Sequence, residues 1–196
     1  MKIYDISQEV FSCNVFPGDP TPKNETLCSM DSGDAYNLTA FSMCAHNGTH
    51  IDAPRHFIDR GAAVDDLPLE CFVGDCYLAR CEGDVTEEKA LEIMKRAKEA
   101  QADERILLAG DLTVTASAAR VFASFGLKLL GNESQTVGPS DSPMEVHKLL
   151  LGAGTVLLEG IKLCGIEEGR YHLSAAPLNL ASSDGAPCRA YLISEE

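Results

Sequence analysis

Three of the chain's five histidines fall within eleven residues, His46, His50 and His56, and an aspartate, Asp52, lies between them. Imidazole and carboxylate side chains are the usual protein ligands of zinc and similar divalent ions. An isolated histidine is more often an ordinary polar residue, but this density in a histidine-poor chain favours a metal site. We therefore predict that the segment binds a divalent metal ion.

The spacing of His46, His50 and Asp52 suits a strand better than a helix. Gly48, and Pro54 shortly after it, disfavour a helix, whereas alternate residues of a strand share one face. Four strand residues span about 13 Å, which is too far for two imidazoles to reach one ion over bonds of about 2 Å. We therefore expect the chain to bend near Gly48.

Two further ligand candidates lie later in the chain. Glu159 directly follows three apolar residues, Val156 to Leu158, at the end of the strand predicted at 155–158. A carboxylate buried there needs a partner or a metal, and an exposed strand end is the alternative. His147 lies in a predicted helix, where a surface histidine is the simpler interpretation of the spacing alone.

The eight cysteines predict neither a disulfide framework nor a cysteine-ligated metal. They are spread from Cys13 to Cys188 in a chain of 196 residues, which is long enough to bury a core without such bridges. Cys71, Cys76 and Cys81 are spaced five apart, whereas structural zinc sites usually pair cysteines two to four residues apart. We interpret the cysteines as small buried apolar residues.

Composition excludes several functional classes. Sixteen Lys and Arg against thirty Asp and Glu give a net charge of −14, which disfavours a nucleic-acid partner. No stretch approaches the 18 apolar residues of a membrane helix, and the first residues do not resemble a signal peptide. We therefore expect a cytoplasmic protein with a small-molecule partner and no membrane association.

Alternating strands and helices predict an α/β fold in one domain spanning residues 1–196. The expected strands are residues 2–6, 23–30, 36–44, 71–79, 105–109, 127–130 and 155–158. The expected helices are residues 86–100, capped by Thr86, 115–125 and 143–151. The strand-rich first third suggests a mixed sheet.

The run from His46 to Phe57 resembles the His-x-Gly-Thr-His-x-Asp-x-Pro-x-His signature of the cyclase family, which includes bacterial kynurenine formamidase (arylformamidase) and isatin hydrolase. The resemblance covers nearly the whole chain. It includes residues 4–7, the aromatic-Pro-Gly-Asp turn at 16–19, the strand carrying Glu159, and the segment 184–190. It implies a mixed β/α fold of the swivelling β/β/α type, with a barrel-like central sheet, that assembles as a homodimer or homotetramer.

The resemblance also implies a ligand set. His46, His50 and Asp52 would bind a first metal, and Asp52 would bridge to a second one in two-metal members. His147 would bind that second ion, and Glu159 would bridge both. The implied cofactor is one or two divalent ions, with Zn²⁺ as the first choice and Mn²⁺ as the alternative.

The remaining family roles concern catalysis. His56 matches the catalytic proton donor and acceptor, and Phe16 matches an aromatic residue of the substrate pocket, where kynurenine formamidases carry Trp. The implied reaction is hydrolysis of a small-molecule amide C–N bond, an arylformamide, by metal-activated water. Two alternatives stay open: hydrolysis of a cyclic amide, imide or lactone, as by isatin hydrolase, and a non-catalytic metal- or ligand-binding protein.

Overall fold

The protein is described here from a computed structural model, which covers residues 1–194. The α-helices are α1 (Glu87–Glu99), α2 (Ala116–Ser124) and α3 (Met144–Gly152). The strands are β1 (Lys2–Asp5), β2 (Lys23–Cys28), β3 (Leu38–Ser42), β4 (His50–Asp52), β5 (Val73–Arg80), β6 (Gly83–Val85), β7 (Arg105–Ala109), β8 (Leu112–Val114), β9 (Leu129–Asn132), β10 (Val156–Glu159), β11 (Gly169–Ser174), β12 (Gly185–Pro187) and β13 (Tyr191–Ser194).

A nine-stranded mixed sheet forms the centre of the molecule, in the order β1-β13-β11-β5-β7-β9-β10-β4-β12. Its middle strands β5, β7, β9 and β10 are parallel, and every other neighbouring pair is antiparallel. The sheet is strongly curled into a half-barrel. The predicted mixed α/β fold with a barrel-like sheet is therefore confirmed.

Strand β7 shows how the sheet is stabilised. Ile106 and Leu108 pack into the cluster that also contains the buried faces of the three helices, whereas Leu107 packs into a second cluster on the other side of the sheet. Because the strand is covered on both faces, the sequence after Arg105 is a continuous apolar run without alternation. The two clusters pack against the parallel strands, and the last of these strands, β10, ends at Glu159.

The three predicted helices are confirmed within a residue or so at each end. The Thr86 hydroxyl accepts a hydrogen bond from the Lys89 backbone N–H at the start of α1, and Thr115 does the same for Ala118 in α2. Such caps satisfy backbone N–H groups that the first helical turn leaves without partners. The helix starts predicted at residues 86 and 115 are therefore confirmed.

Only part of the strand-rich first third, β1 and β4, contributes to the mixed sheet. Strands β2 and β3 pair only with each other, outside the main sheet, and their side chains Leu27, Leu38 and Phe41 are exposed. The antiparallel strands of the main sheet come largely from β11, β12 and β13, which the sequence did not reveal as strands. The predicted homodimer or homotetramer and the cytoplasmic location stay predictions.

The cysteines are free thiols throughout the described residues. Burial raises the pKa of Cys76 and of Cys188 to about 12, so both stay protonated at neutral pH. The expectation of buried residues holds fully for Cys76 alone, because six of the other cysteines are only partly buried and Cys164 is exposed. Among residues 1–194, no helix has the length and apolar character needed to cross a bilayer.

Candidate metal centre

The candidate ligands meet where β4 pairs with β10. In this antiparallel pairing Glu159 lies directly opposite His50, and Asp52, two residues along β4, projects from the same face. His50 and Asp52 are each 1% exposed and Glu159 is 2% exposed. The alternative interpretation of Glu159 as an exposed strand end is therefore wrong.

The bend expected near Gly48 is present. Strand β4 begins only at His50, and Gly48 has φ +64°, in the left-handed region that favours glycine. A Cβ atom at this position would lie 2.8 Å from the Cys13 side chain. The turn brings His46 back to the strand, where its Nδ1 lies 2.7 Å from Asp52 Oδ1.

Helix α3 supplies the fourth member of the cluster. His147 is 3% exposed, so its interpretation as a surface histidine is wrong. Its Nδ1 lies 2.9 Å from the carbonyl oxygen of Pro143, and Nδ1 of His50 lies 2.9 Å from that of Gly48. A carbonyl only accepts, so each Nδ1 carries a proton. When neutral, each ring therefore presents an unprotonated Nε2, the form that binds metals.

The facing atoms are spaced as metal ligands are. His50 Nε2 lies 3.3 Å from Asp52 Oδ1 and 3.6 Å from Glu159 Oε2, while His147 Nε2 lies 3.6 Å from Asp52 Oδ2 and 3.3 Å from Glu159 Oε1. Two ligand bonds of about 2.0–2.2 Å that meet at a tetrahedral angle span about 3.3–3.6 Å. Each carboxylate directs one oxygen toward each histidine. The donor set therefore fits one ion, or two ions bridged by both carboxylates.

The charged and titratable side chains around the cavity shift the pKa values of one another. Burial disfavours the charged form of His46, but its contacts with Asp52 and Asp184 outweigh burial and raise its pKa to about 10. Burial also opposes ionisation of Asp52, yet hydrogen bonds from His46 and His50 hold its pKa well below the usual range. Burial lowers the pKa of His56 from its ordinary value, which favours the neutral ring.

The cluster lines a cavity of about 260 Å³. Phe16, the predicted pocket residue, is part of its wall, as are His56 and Phe57, whose rings meet edge to face with centroids 4.5 Å apart. All six candidate site residues named from the sequence therefore lie around one cavity together with Phe16. Their roles as ligands, proton carrier and substrate contact stay predictions.

Three further residues at the site were missed by sequence reasoning. Asp184 contacts both His46 and His56. Gln135 and Thr136 line the cavity, and their side-chain oxygens are buried without a hydrogen-bond partner among the described residues. Unpartnered buried polar atoms are costly in the absence of a ligand or water.

Comparison with known proteins places this site in a family. The sequence model of the family described as "Putative cyclase" matches residues 4–137. A curated kynurenine formamidase of Erythrobacter litoralis is 32% identical over 97% of this chain and 93% of its own length. A kynurenine formamidase of Salinibacter ruber is 31% identical, over 98% of this chain and 97% of the relative.

Solved structures agree with the sequence relatives. A protein described as a potential metal-dependent hydrolase with cyclase activity is 28% identical and superposes with a TM-score of 0.80, covering 100% of this chain and 98% of that one. Isatin hydrolase A of Labrenzia aggregata shares the fold, with a TM-score of 0.83 at 23% identity over 100% of this chain and 94% of its own. The chain therefore belongs to the cyclase family and is a hydrolase of that family.

Proposed function

We propose that the chain is a divalent-metal-dependent hydrolase that cleaves the amide C–N bond of a small N-formyl arylamine. The observation that carries this proposal is the buried cluster of His50, Asp52, His147 and Glu159 beside His56 in one cavity. The relatives named kynurenine formamidase, about 30% identical over nearly the whole chain, support the substrate class.

The metal would be held by the residues that already face one another. His46, His50 and Asp52 would hold one ion and His147 a second, while Asp52 and Glu159 offer an oxygen to each position. We propose zinc, with manganese as the alternative, because imidazole and carboxylate ligation accommodates both. A divalent ion in such a site supplies Lewis acidity and a nucleophilic water at neutral pH.

The protein side chains would manage the proton and the orientation of the substrate. The neutral ring of His56 can take the proton of the attacking water at Nε2 and return it to the leaving amine nitrogen. Phe16 and Phe57 would hold an aromatic ring in the cavity wall. His46 would give up its hydrogen bond to Asp52 Oδ1 on binding an ion, because 2.7 Å is a hydrogen-bond distance rather than a spacing between two ligands.

Hydrolysis of a substrate panel tests the proposal. Protein of measured zinc or manganese content would be assayed against N-formylkynurenine, isatin and simple cyclic imides. We expect the formyl amide to have the highest kcat/KM. A preference for isatin or an imide would assign the cyclic-amide activity instead, and the presence of Phe16 rather than Trp is the feature of this chain that favours that outcome. Metal-loaded protein inactive on every compound would contradict both.

The charge of the cavity predicts a preference among formyl arylamines. Among its lining residues there is no Lys or Arg, and Asp19 adds a carboxylate whose one side-chain hydrogen-bond partner is the Cys44 thiol, with Sγ at 3.9 Å. Asp19 is not among the proposed ligands, so its charge would remain when the metal neutralises Asp52 and Glu159, and an anionic substituent beside it would meet that charge. Among formanilides with a single charged substituent, we expect kcat/KM to rank ammonium-bearing ones above neutral ones and carboxylate-bearing ones last. In Asp19→Asn, the ratio of kcat/KM between ammonium-bearing and carboxylate-bearing formanilides should fall by about tenfold, which corresponds to about 1.4 kcal/mol. An unchanged ratio would contradict the role of Asp19.

A further inference from the structure

We propose that Asp184 is a positioning residue that fixes the ring tautomers of both His46 and His56, so that each presents the nitrogen its role requires. The inference rests on the proposed function only in that His46 is taken as a metal ligand and His56 as the proton carrier. The contacts of Asp184 with the two rings are observed independently of that function. The ligand set implied by the family resemblance does not include Asp184. This residue lies in a polar loop late in the chain.

One carboxylate oxygen contacts both rings. Asp184 Oδ2 lies 2.9 Å from Nε2 of His46 and 3.2 Å from Nδ1 of His56. The two imidazoles are packed against each other with centroids 4.1 Å apart and planes inclined by 30°. A carboxylate oxygen only accepts hydrogen bonds, so the ring nitrogen that faces it must carry a proton in each case.

The protonated nitrogens determine which nitrogens are left free. With a proton on Nδ1, the neutral ring of His56 has its lone pair on Nε2, the nitrogen needed to accept a proton from water. His46 faces a carboxylate oxygen with both nitrogens, because its Nδ1 also lies 2.7 Å from Asp52 Oδ1, so both nitrogens carry a proton in this structure. When Nδ1 gives up its proton to bind an ion, the contact with Asp184 keeps the remaining proton on Nε2. Nδ1 of His46 is thus assigned as the ligand nitrogen beside Asp52. Carboxylates commonly orient both catalytic and metal-binding histidines in this way.

Asp184 is itself held firmly in place. Its carbonyl oxygen accepts a hydrogen bond from the Ala53 N–H at 2.9 Å, directly after β4. The next residue, Gly185, pairs with Asp52 across the β12–β4 ladder. A Cβ atom on Gly185 would lie 2.5 Å from Cε1 of His46, so the backbone passes directly against that ring. The carboxylate therefore reaches the two histidines from a backbone that the sheet fixes.

No other side chain can replace this contact for His56. Among residues 1–194, Asp184 is the one hydrogen-bond partner of the His56 side chain. The Asp184 side chain is also 46% exposed, so its removal leaves no buried cavity. Loss of the carboxylate should therefore free the ring of His56 while the fold stays intact.

Two readouts on zinc-loaded protein test the inference. Long-range ¹H–¹⁵N correlation spectra of the imidazoles, assigned with His46→Gln and His56→Gln proteins, should show the Nδ1–H form of His56 and the Nε2–H form of His46. In Asp184→Ala we expect mixed tautomers of His56, a kcat lower by about 10–100-fold with little change in KM, and zinc affinity lower by about tenfold in a chelator competition. Asp184→Asn should recover part of kcat, because its amide oxygen can still accept.

Asp65→Ala is the matched control. Asp65 Oδ1 accepts a hydrogen bond from the Ser182 N–H at 2.8 Å, so alanine removes an anchor of the same loop without removing a contact to a histidine. We expect this variant to keep the wild-type tautomers and kcat. An equal loss of kcat in Asp65→Ala, or an unchanged His56 tautomer in Asp184→Ala, would overturn the inference. Failure of the wild-type protein to hydrolyse any formyl amide would instead contradict the proposed function, and the spectra would still decide the tautomers.

Discussion

Substitution of His50 by alanine is expected to remove the bound metal and, with it, nearly all hydrolysis. His50 Nε2 lies 3.3 Å from Asp52 Oδ1 and 3.6 Å from Glu159 Oε2, at the centre of the proposed ligand set. Removing a residue that hydrogen-bonds to a metal ligand typically lowers metal affinity or activity by about 10–100-fold. Removal of a direct ligand should therefore lower them by more than about 100-fold. Elemental analysis of dialysed protein gives the metal content, and kcat/KM on the formyl amide gives the activity.

Two further proteins make this result interpretable. His172→Ala removes a histidine that is 45% exposed and bonded to Asp75, so metal content and activity should stay as in the wild type. His50→Gln keeps a side chain of similar size, which separates loss of a ligand from loss of packing. Metal retained at the wild-type level in folded His50→Gln and His50→Ala, as judged by circular dichroism, would contradict the assignment of His50.

Substitution of His56 by alanine is expected to have a different outcome, in which the metal stays and turnover falls. General acid–base catalysis typically contributes about 10²–10⁴-fold, so kcat should fall by about that factor. The ring of His56 lies on the cavity wall with its side chain 27% exposed, whereas His50 is fully buried. Single-turnover rates on metal-loaded protein, together with metal analysis of the same sample, measure both quantities.

The position of His56 also allows a different result, in which this residue is itself a metal ligand. One of its ring nitrogens lies within 4.8 Å of ligand atoms of His46 and Asp52, a group that could itself hold an ion. If His56→Ala lost its metal as fully as His50→Ala, His56 would be a ligand and the proton would need another carrier. Normal turnover in His56→Ala would exclude both roles.

The local elements were predictable because their signals are local. Residues 106–109 form an uninterrupted apolar run, and the strand predicted at 105–109 is the buried strand β7 with those same bounds. Thr86, followed by Glu87 and Glu88, marks the start of α1 as caps and first-turn acids do. These features depend on a few neighbouring residues, and tertiary packing did not override them.

The placement of elements was less predictable. Strands β2 and β3 were expected as strands, but their sequence does not show that they pair outside the main sheet. Strand β12 has three residues, Gly185–Pro187, and no alternation that would mark it. Its pairing with β4 is determined by contacts across the whole chain, which single-sequence patterns do not contain.

The same limit explains which site residues were found. His46, His50, Asp52 and His56 were found because they are crowded into one short segment. Asp184 was missed because it lies 138 residues from His46 in sequence, between Ser183 and Gly185, where an aspartate is typical of a surface loop. Only the ladder between β12 and β4 brings it to the histidines.

The pairing of Glu159 with His50 makes the centre sensitive to strand alignment. A slip of one residue between β4 and β10 would turn Glu159 toward the opposite face, where Ile51 and Leu158 are fully buried among apolar side chains. A ligand that binds only the native form stabilises that form by mass action. A divalent ion would thus stabilise the native alignment of β4 and β10 relative to the shifted one. We expect the yield of correctly aligned chains on refolding to rise with the concentration of metal.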